Sequence, residues 1–346
     1  MFWIVFKRDT QSRFTLFRVF VFLEVLRLLL NLYLNLIFVL EIELVLVIFV
    51  KNSFSMLSID PKEIAPAKLQ GYLQSAVAPR PIAFASTMDG NGNPNLSPFS
   101  FFNVFSSNPP ILIFSPARRV RDNTTKHTLI NAQNTKEVVI NVVNYDIVEQ
   151  MSLSSTEYPD GVNEFEKAGF TMLKSDKVKP FRVAESPVQF ECKINDVIAL
   201  GDQGGAGNLV ICEVVKIHIS EAVLDANGMI DQYKIDLVAR MGGNWYSRSN
   251  VGMFEVEKPL TTLGIGVDMI PNFIKESGYF TGNDLARLGN IENIPTEEEI
   301  AIFVKENFEV KAVLSADDLD TKFQKAKEYV DNGKAIDAWK LLLAKK

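Results

Sequence analysis

From about residue 75 to residue 248 the chain runs in short stretches where apolar and polar positions alternate, each bounded by Gly, Pro, Asn or Asp. Short strands at regular spacing with turns between them are the pattern of an antiparallel barrel. "RPIAFAST" and "NLSPFSFFNVFS" flank the turn "MDGNGNPN", whose glycines and asparagines supply positive φ. "PPILIFSPA", "EVVINVV", "PVQFECKINDVIAL" and "NLVICEVVKIHI" follow as four more candidate strands. Among them, "NYDIVEQMSLSST" has helical spacing at Ile147, Met151 and Leu153, and "NEFEKAGF" predicts a short helical turn ending at Gly169.

Beyond Pro259 the period changes. "PTEEEIAIFVKENFE" opens with a capping box, Thr296 with Glu299. "SADDLDTKFQKAKEYV" offers another, Ser315 with Asp318, and sets Leu319, Phe323, Ala326 and Val330 on one face. "DNG" stops that helix and "KAIDAWKLLLA" starts again. The expectation is a helical hairpin from about residue 295, a packing or partner surface without a catalytic signature. The predicted class is therefore mainly β, with peripheral helices and a helical C-terminal tail. Three segments are expected: 1–55, 56–255 and 256–346.

The first segment is unlike the rest. Before Pro61 there is no Gly, Pro, Ala, Cys or His, only long runs of Phe, Leu, Val and Ile among scattered polar residues. Residues 28–50 are long enough to span a membrane. Their insertion balance is close, since roughly eighteen apolar residues at about −0.3 to −0.6 kcal/mol each stand against Glu41 and Glu43 at about +3 each. No small-residue cleavage site follows, so a secretory signal does not fit. The abrupt change at Met56 favours translation starting there. The alternatives are an inner-membrane anchor through residues 28–50 and a soluble amphipathic element. The remainder is acidic and is expected to be cytoplasmic.

The net charge of −6 gives no basic footprint for nucleic acid. Two cysteines exclude a disulfide scaffold, and Cys192 and Cys212 both sit on apolar strand faces as buried thiols. With two histidines, His127 and His218, no zinc-type cluster is expected. No G-x-S-x-G elbow or P-loop occurs, and "GDQGGAGN" lies between two strands, where a dinucleotide fingerprint does not belong. The richer stretch is "SPARRVRDNTTKHTLIN", which gathers Arg118, Arg119, Arg121 and Lys126 among Asn123, Thr124, Thr125 and Thr128. A phosphate needs this mixture of positive charge with hydroxyl, amide and backbone donors. The alternative is a solvated basic loop.

Read together, these segments resemble the flavin reductase-like family, the FMN-binding split barrels, over roughly residues 75–248. The residues that carry the likeness are "RPIAFAST", the turn "GNPN" and "LSPFSFFN", then "KHTLIN", "EFEKAGFT", "ESPVQFECK", "NLVICEVV" and "ARMGGNWYSR". In "KHTLIN", His127 stands where the family has aspartate. The resemblance implies an FMN-binding split β-barrel with Greek-key-like antiparallel strands, and a homodimer with FMN near the interface. It places Arg80, Ser86, Thr87, Phe99, Ser100 and Asn103 against the isoalloxazine or ribityl chain. Arg121, Asn123, Thr125, Lys126 and Thr128 would hold the phosphate, and Tyr246 with Trp245 would close the pocket. For Phe101 and Phe105 a place in the barrel core is preferred.

The resemblance implies an oxidoreductase that takes hydride from NAD(P)H onto bound FMN and passes electrons to free flavin, oxygen or a partner protein. One departure weakens the nicotinamide half: where related reductases carry G-D-H, this chain has Gln203 in "GDQ". The alternative is an FMN-binding electron carrier or sensor without its own nicotinamide site.

Overall fold

A computed structural model describes residues 56–345 apart from 160, 257, 258 and 260–262. Residues 1–55, with the candidate anchor at 28–50, lie outside the described residues. Among those described, no helix is long and apolar enough to cross a membrane. The chain divides into two units at Val251/Gly252.

The first unit opens with α1 (Pro66–Ala76), a helix not anticipated from the sequence, which starts on Pro in its first turn and buries none of its residues. Then come β1 (Ala83–Met88), β2 (Pro94–Phe99), β3 (Phe102–Ser107), β4 (Pro110–Phe114), α2 (His127–Thr135), β5 (Glu137–Val142), α3 (Val148–Leu153) and α4 (Glu164–Ala168). After them follow the short β6 (Met172–Leu173) and β7 (Arg182–Val183), the long hairpin β8 (Val188–Ala199) and β9 (Asn208–Ile219), α5 (Gln232–Ile235), β10 (Val238–Arg240) and β11 (Tyr246–Arg248). Seven strands form one sheet in the order β2-β1-β5-β8-β9-β4-β3, every pairing antiparallel. Register shifts at Glu191/Cys192, Ile194/Asp196 and Val104/Ser106 bend it.

Two expectations change here. "NLSPFSFFNVFS" is two strands rather than one: the ladder stops at Phe99 and resumes at Phe102, and β2 and β3 form opposite edges of the sheet. The sheet is thus an open barrel, joined across its two edges only by Ser100 and Phe101. Pro98 is tolerated because β2 has a partner on one side alone. Second, Phe101 and Phe105 are exposed, not core. The Phe101 carbonyl accepts a 2.8 Å bond from the Ser115 N–H, which turns the chain at this corner.

The alternation of β1 serves two cores. Ala83 and Ala85 face a cluster with Phe99, Leu112, Phe114, Val138, Ile140, Cys192, Ile194, Val210 and Cys212. Phe84 faces the opposite cluster, where it meets Phe170 edge-on at 5.2 Å beside Leu96, Ile147, Met151 and Phe165. Both thiols are buried as expected, and burial pushes both up. Ile147 and Met151 are buried, whereas Leu153 is half exposed. Gly169 ends α4 in the left-handed region at φ +72°, where it receives no Cβ penalty.

The second unit holds α6 (Asn272–Lys275), α7 (Gly282–Gly289), α8 (Glu297–Glu306), α9 (Phe308–Ala316), α10 (Leu319–Asp331) and α11 (Ala335–Leu343). Its core comprises Ile270, Ile274, Leu288, Val310, Phe323, Trp339, Leu341 and neighbours. This is a helical domain rather than the predicted hairpin, beginning well before residue 295. The Thr296–Glu299 capping box is present. Ser315 is not a cap: its hydroxyl donates to the Lys311 carbonyl within α9, and Asp318 caps α10 by accepting from the N–H groups of Asp320 and Thr321. Starting the helix there leaves Leu319 at its first position and exposed, while Phe323, Ala326 and Val330 are buried.

Candidate functional site

Strand alternation puts Asn95, Ser97 and Phe99 on one face of β2. That face borders a cleft whose other walls are Arg119, the start of α2 from Lys126 to Thr128, residues 154–158, and Glu164. It encloses about 30 Å³ as it stands. At roughly 10–15 Å³ per water, that is room for about two.

Lys126 is the N-cap of α2, and its side chain caps nothing. The start of the helix, and with it the positive end of its dipole, therefore lies at the cleft wall. The Lys126 ammonium lies 5.2 Å from the Phe99 ring centroid and 3.5 Å from the Ser97 hydroxyl. Among the described residues no carboxylate comes within ion-pair distance of it. Burial, then the nearby Arg119 charge, holds its pKa below the usual lysine value.

Behind the lysine a polar network fixes the wall. Asn95 Oδ1 accepts from Thr128 at 2.7 Å and from Thr87 at 3.3 Å, and Asn131 donates to the Thr87 hydroxyl at 3.2 Å. Asn95 Nδ2 and the Leu96 N–H both donate to Glu164, at 3.1 and 3.0 Å. Burial pushes the Glu164 carboxyl above its ordinary value against these bonds.

Arg119 is held by three contacts within its own loop: its N–H to the Thr124 carbonyl at 2.9 Å, and Nη1 to the Thr124 hydroxyl and the Thr125 carbonyl at 2.8 and 3.0 Å. The loop 201–208 supports it from behind. Arg118 N–H donates to Ala206, Gly205 N–H donates to Arg118, and a Cβ on Gly204 would come within 3.0 Å of the Arg119 and Val120 carbonyls. The glycines of "GDQGGAGN" thus permit backbone to rest on backbone.

Of the residues expected at the site, Thr87, Phe99, Lys126 and Thr128 are brought together. Ser100, Arg80 and Tyr246 form a neighbouring chain: Arg80 Nε approaches the Ser100 hydroxyl at 3.4 Å, Arg80 pairs backbone to backbone with Arg240, and Arg240 lies 4.6 Å over the Tyr246 ring. Arg80 itself ties segments together, donating to the carbonyls of Gln74, Val77 and Met241. The others lie elsewhere. Ser86 faces the opposite core, buried and with its hydroxyl unpaired. Asn103 sits on the far edge strand, bonded to the Val104 N–H. Arg121 is exposed and paired with Asp122 and Glu157. Asn123 is engaged by Arg118 and bonds the Asp202 carbonyl, Thr125 offers only its carbonyl to Arg119, and Trp245 is exposed. Sequence reasoning passed over Asn95 and Ser97, although period-two alternation from Phe99 points to them. It gathered Arg119 in the basic run without assigning it to the phosphate, and it missed Glu157 and Glu164, which no local pattern marks.

Against this geometry, known proteins give a consistent answer. Residues 75–234 match the model of the flavin reductase like domain. An uncharacterized protein of Aquifex aeolicus is 39% identical over 188 residues, 54% of this chain and 93% of its own. Another, from Halalkalibacterium halodurans, is 34% identical, with 59% and 97% covered. The chain belongs to the flavin reductase-like family. Among solved structures, nitrilotriacetate monooxygenase component B from Bacillus cereus superposes with a TM-score of 0.54 at 27% identity, covering 59% of this chain and 98% of that one. A protein assigned as a flavin reductase with split barrel domain, from Shewanella frigidimarina, gives 0.50 at 25%, with 59% and 99% covered. The fold is therefore the flavin reductase split barrel; the helical unit lies outside the matched 75–234.

Proposed function

We propose that the cleft at Lys126 takes the phosphate of FMN, that the flavin lies along β2 towards Ser100, and that the protein is an FMN-dependent NAD(P)H oxidoreductase. Membership of the flavin reductase-like family supports a flavin-related redox role. The observation that carries the phosphate assignment is Lys126: a partly buried ammonium at a helix N-terminus without a side-chain cap, whose hydrogen-bond partner among the described residues is the Ser97 hydroxyl at 3.5 Å. Such a group is costly to bury without an anion. The residues fit the cofactor's anionic end. Lys126 and the amides of α2 supply charge and donors, Arg119 a second cation, and the Asn95–Thr128–Thr87 network keeps β2 and α2 at fixed separation.

When bound, the flavin accepts hydride at its ring N5, chemistry that the protein need not supply itself. The chain's own part is placement. Lys126 must stay protonated to hold the phosphate, and Phe99 with the Ser100 turn supports the ring end. Exposed Val104 and Phe105 on β3, with Val215 and Ile217 on β9, support the expected homodimer.

A second reading, an FMN-binding carrier or sensor, is favoured by Gln203. Its amide donates to Asp202 beside it in an exposed loop, where related reductases have histidine. The test is an anaerobic visible spectrum of protein loaded with FMN, before and after NADH and then NADPH. Bleaching by either supports the reductase and names its donor. Persistent oxidised flavin moves the assignment to the carrier, and failure to retain FMN overturns both.

A further inference from the structure

The cleft carries two cations, Lys126 and Arg119, and two carboxylates, Glu157 and Glu164. The carboxylates differ in kind. Glu164 is buried at the start of α4 and spent on Asn95 and Leu96. Glu157 stands on an exposed loop and reaches over with both oxygens, Oε1 to Arg119 Nε and Oε2 to Arg121 Nη2, each at 2.9 Å. The hydroxyls of its segment do not reach in the same way: Ser154, Ser155 and Thr156 donate to the carbonyls of Met151, Ser152 and Leu153. Glu157 is therefore the group of that wall which engages the cations, and its field also reaches Lys126. With it in place the cleft has about 30 Å³.

We propose that Glu157 is a resident counter-ion that an entering phosphomonoester must displace, and that it thereby sets the charge a ligand needs for admission. This rests on the cleft being the phosphate site. Arg119 does not depend on Glu157 for its position, because Thr124 and Thr125 hold its other nitrogen and Gly204 supports its backbone. When the carboxylate swings out, the arginine remains to receive the phosphate. A dianion gains Lys126 and Arg119 and offsets the lost ion pairs. A neutral head gains neither and leaves Glu157 seated.

The test is a titration of FMN, riboflavin and inorganic phosphate into flavin-free protein, for wild type, Glu157→Gln and Lys126→Ala, at low and high salt. Glu157→Gln removes two exposed ion pairs and is expected to tighten FMN by about two- to thirty-fold. Phosphate should tighten in parallel, riboflavin should not change, and the gain should shrink at high salt. Unchanged or weaker FMN binding in Glu157→Gln, with Lys126→Ala still weakening it, overturns the counter-ion while leaving the cleft assignment standing. Equal tightening of riboflavin also overturns it, since charge would not be the criterion. If Lys126→Ala leaves FMN affinity unaltered, the phosphate site itself is misplaced and the inference falls with it.

Discussion

The two units of this chain bury different things. Among the described residues, the helical unit fills its interior with Phe, Leu, Ile, Val and Trp339, and Asp284 is its one buried polar side chain. Asp284 closes the capping box with Thr281 at the start of α7 and pairs with Lys327 of α10 at 3.4 Å. The barrel unit buries Thr87, Asn95, Ser97, Thr128, Asn131, Glu164 and Glu191 alongside its apolar residues. Burying such groups contributes little net stability even when every bond is made, and each unmade bond costs far more. A unit that has only to fold has no need of them. A unit that must hold two elements apart for a ligand does, and most of its buried hydrogen bonds run from one segment to another.

That contrast is open to direct attack. The largest effect is expected from Trp339→Ala, which empties a fully buried site and removes the 2.8 Å bond from its indole N–H to the Leu288 carbonyl. A loss of about 3–5 kcal/mol in the helical unit is expected from the cavity alone. Differential scanning calorimetry should show that transition fall while FMN affinity holds. Loss of FMN binding would show that the units are not independent.

Next is Glu191→Ala in the barrel. The Glu191 carboxylate accepts from the N–H groups of Asp176 and Lys177, at 2.9 and 2.5 Å, and contacts His218 at 2.7 Å. Each stranded donor is expected to cost about 1–3 kcal/mol. Burial pushes this carboxyl up, but the bonds from Asp176, His218 and Lys177 together hold it below its ordinary value of 4.5. Its stabilising contribution is therefore complete above 4.5 and lost as pH falls through the lower folded value. Tm followed into that acid range should slope for wild type and flatten for the variant.

Lys126→Ala sharpens the comparison differently, since it should separate binding from stability. FMN affinity is expected to fall by about 1.5–3 kcal/mol, the worth of one charged hydrogen bond. Tm should stay level or rise, because a partly buried ammonium is removed. In wild type, affinity should decline as pH rises towards the lysine's pKa, which lies below 10.5. Smallest is Thr296→Ala, the loss of one exposed cap on α8, at about 1 kcal/mol of helical-unit stability by thermal melting.

How much of this was legible in the sequence follows the same divide. Period-two alternation located the strands, and both thiols went where their alternation with Phe190, Ile194, Val210 and Val214 puts them. The break between Phe99 and Phe102 was not legible, since it depends on which strands lie beside β2 and β3. Helix starts were legible where the cap and its partner are both local, as at Thr296. They were misread where two short polar residues compete, as Ser315 and Asp318 do. Lys126 and Thr128 were found because charge and hydroxyl sit together in one run. Glu157 was not, because its engagement with Arg119 spans 38 positions in sequence.

The corner at Ser100 and Phe101 joins the two margins of the sheet, and this bears on how the chain is made. Hairpins β1–β2 and β3–β4 need only neighbouring residues. What sets them at opposite margins is β4 pairing with β9, which places Leu112 against Cys212. Contacts so remote in sequence are the slow ones. During synthesis, therefore, the strand that faces the cleft and the cleft's other walls, as far as Glu164, are made before the β9 residues that fix β4. The loop 201–208 that backs Arg119 arrives only with β9, and a ligand that needs Arg119 in place rewards a finished barrel.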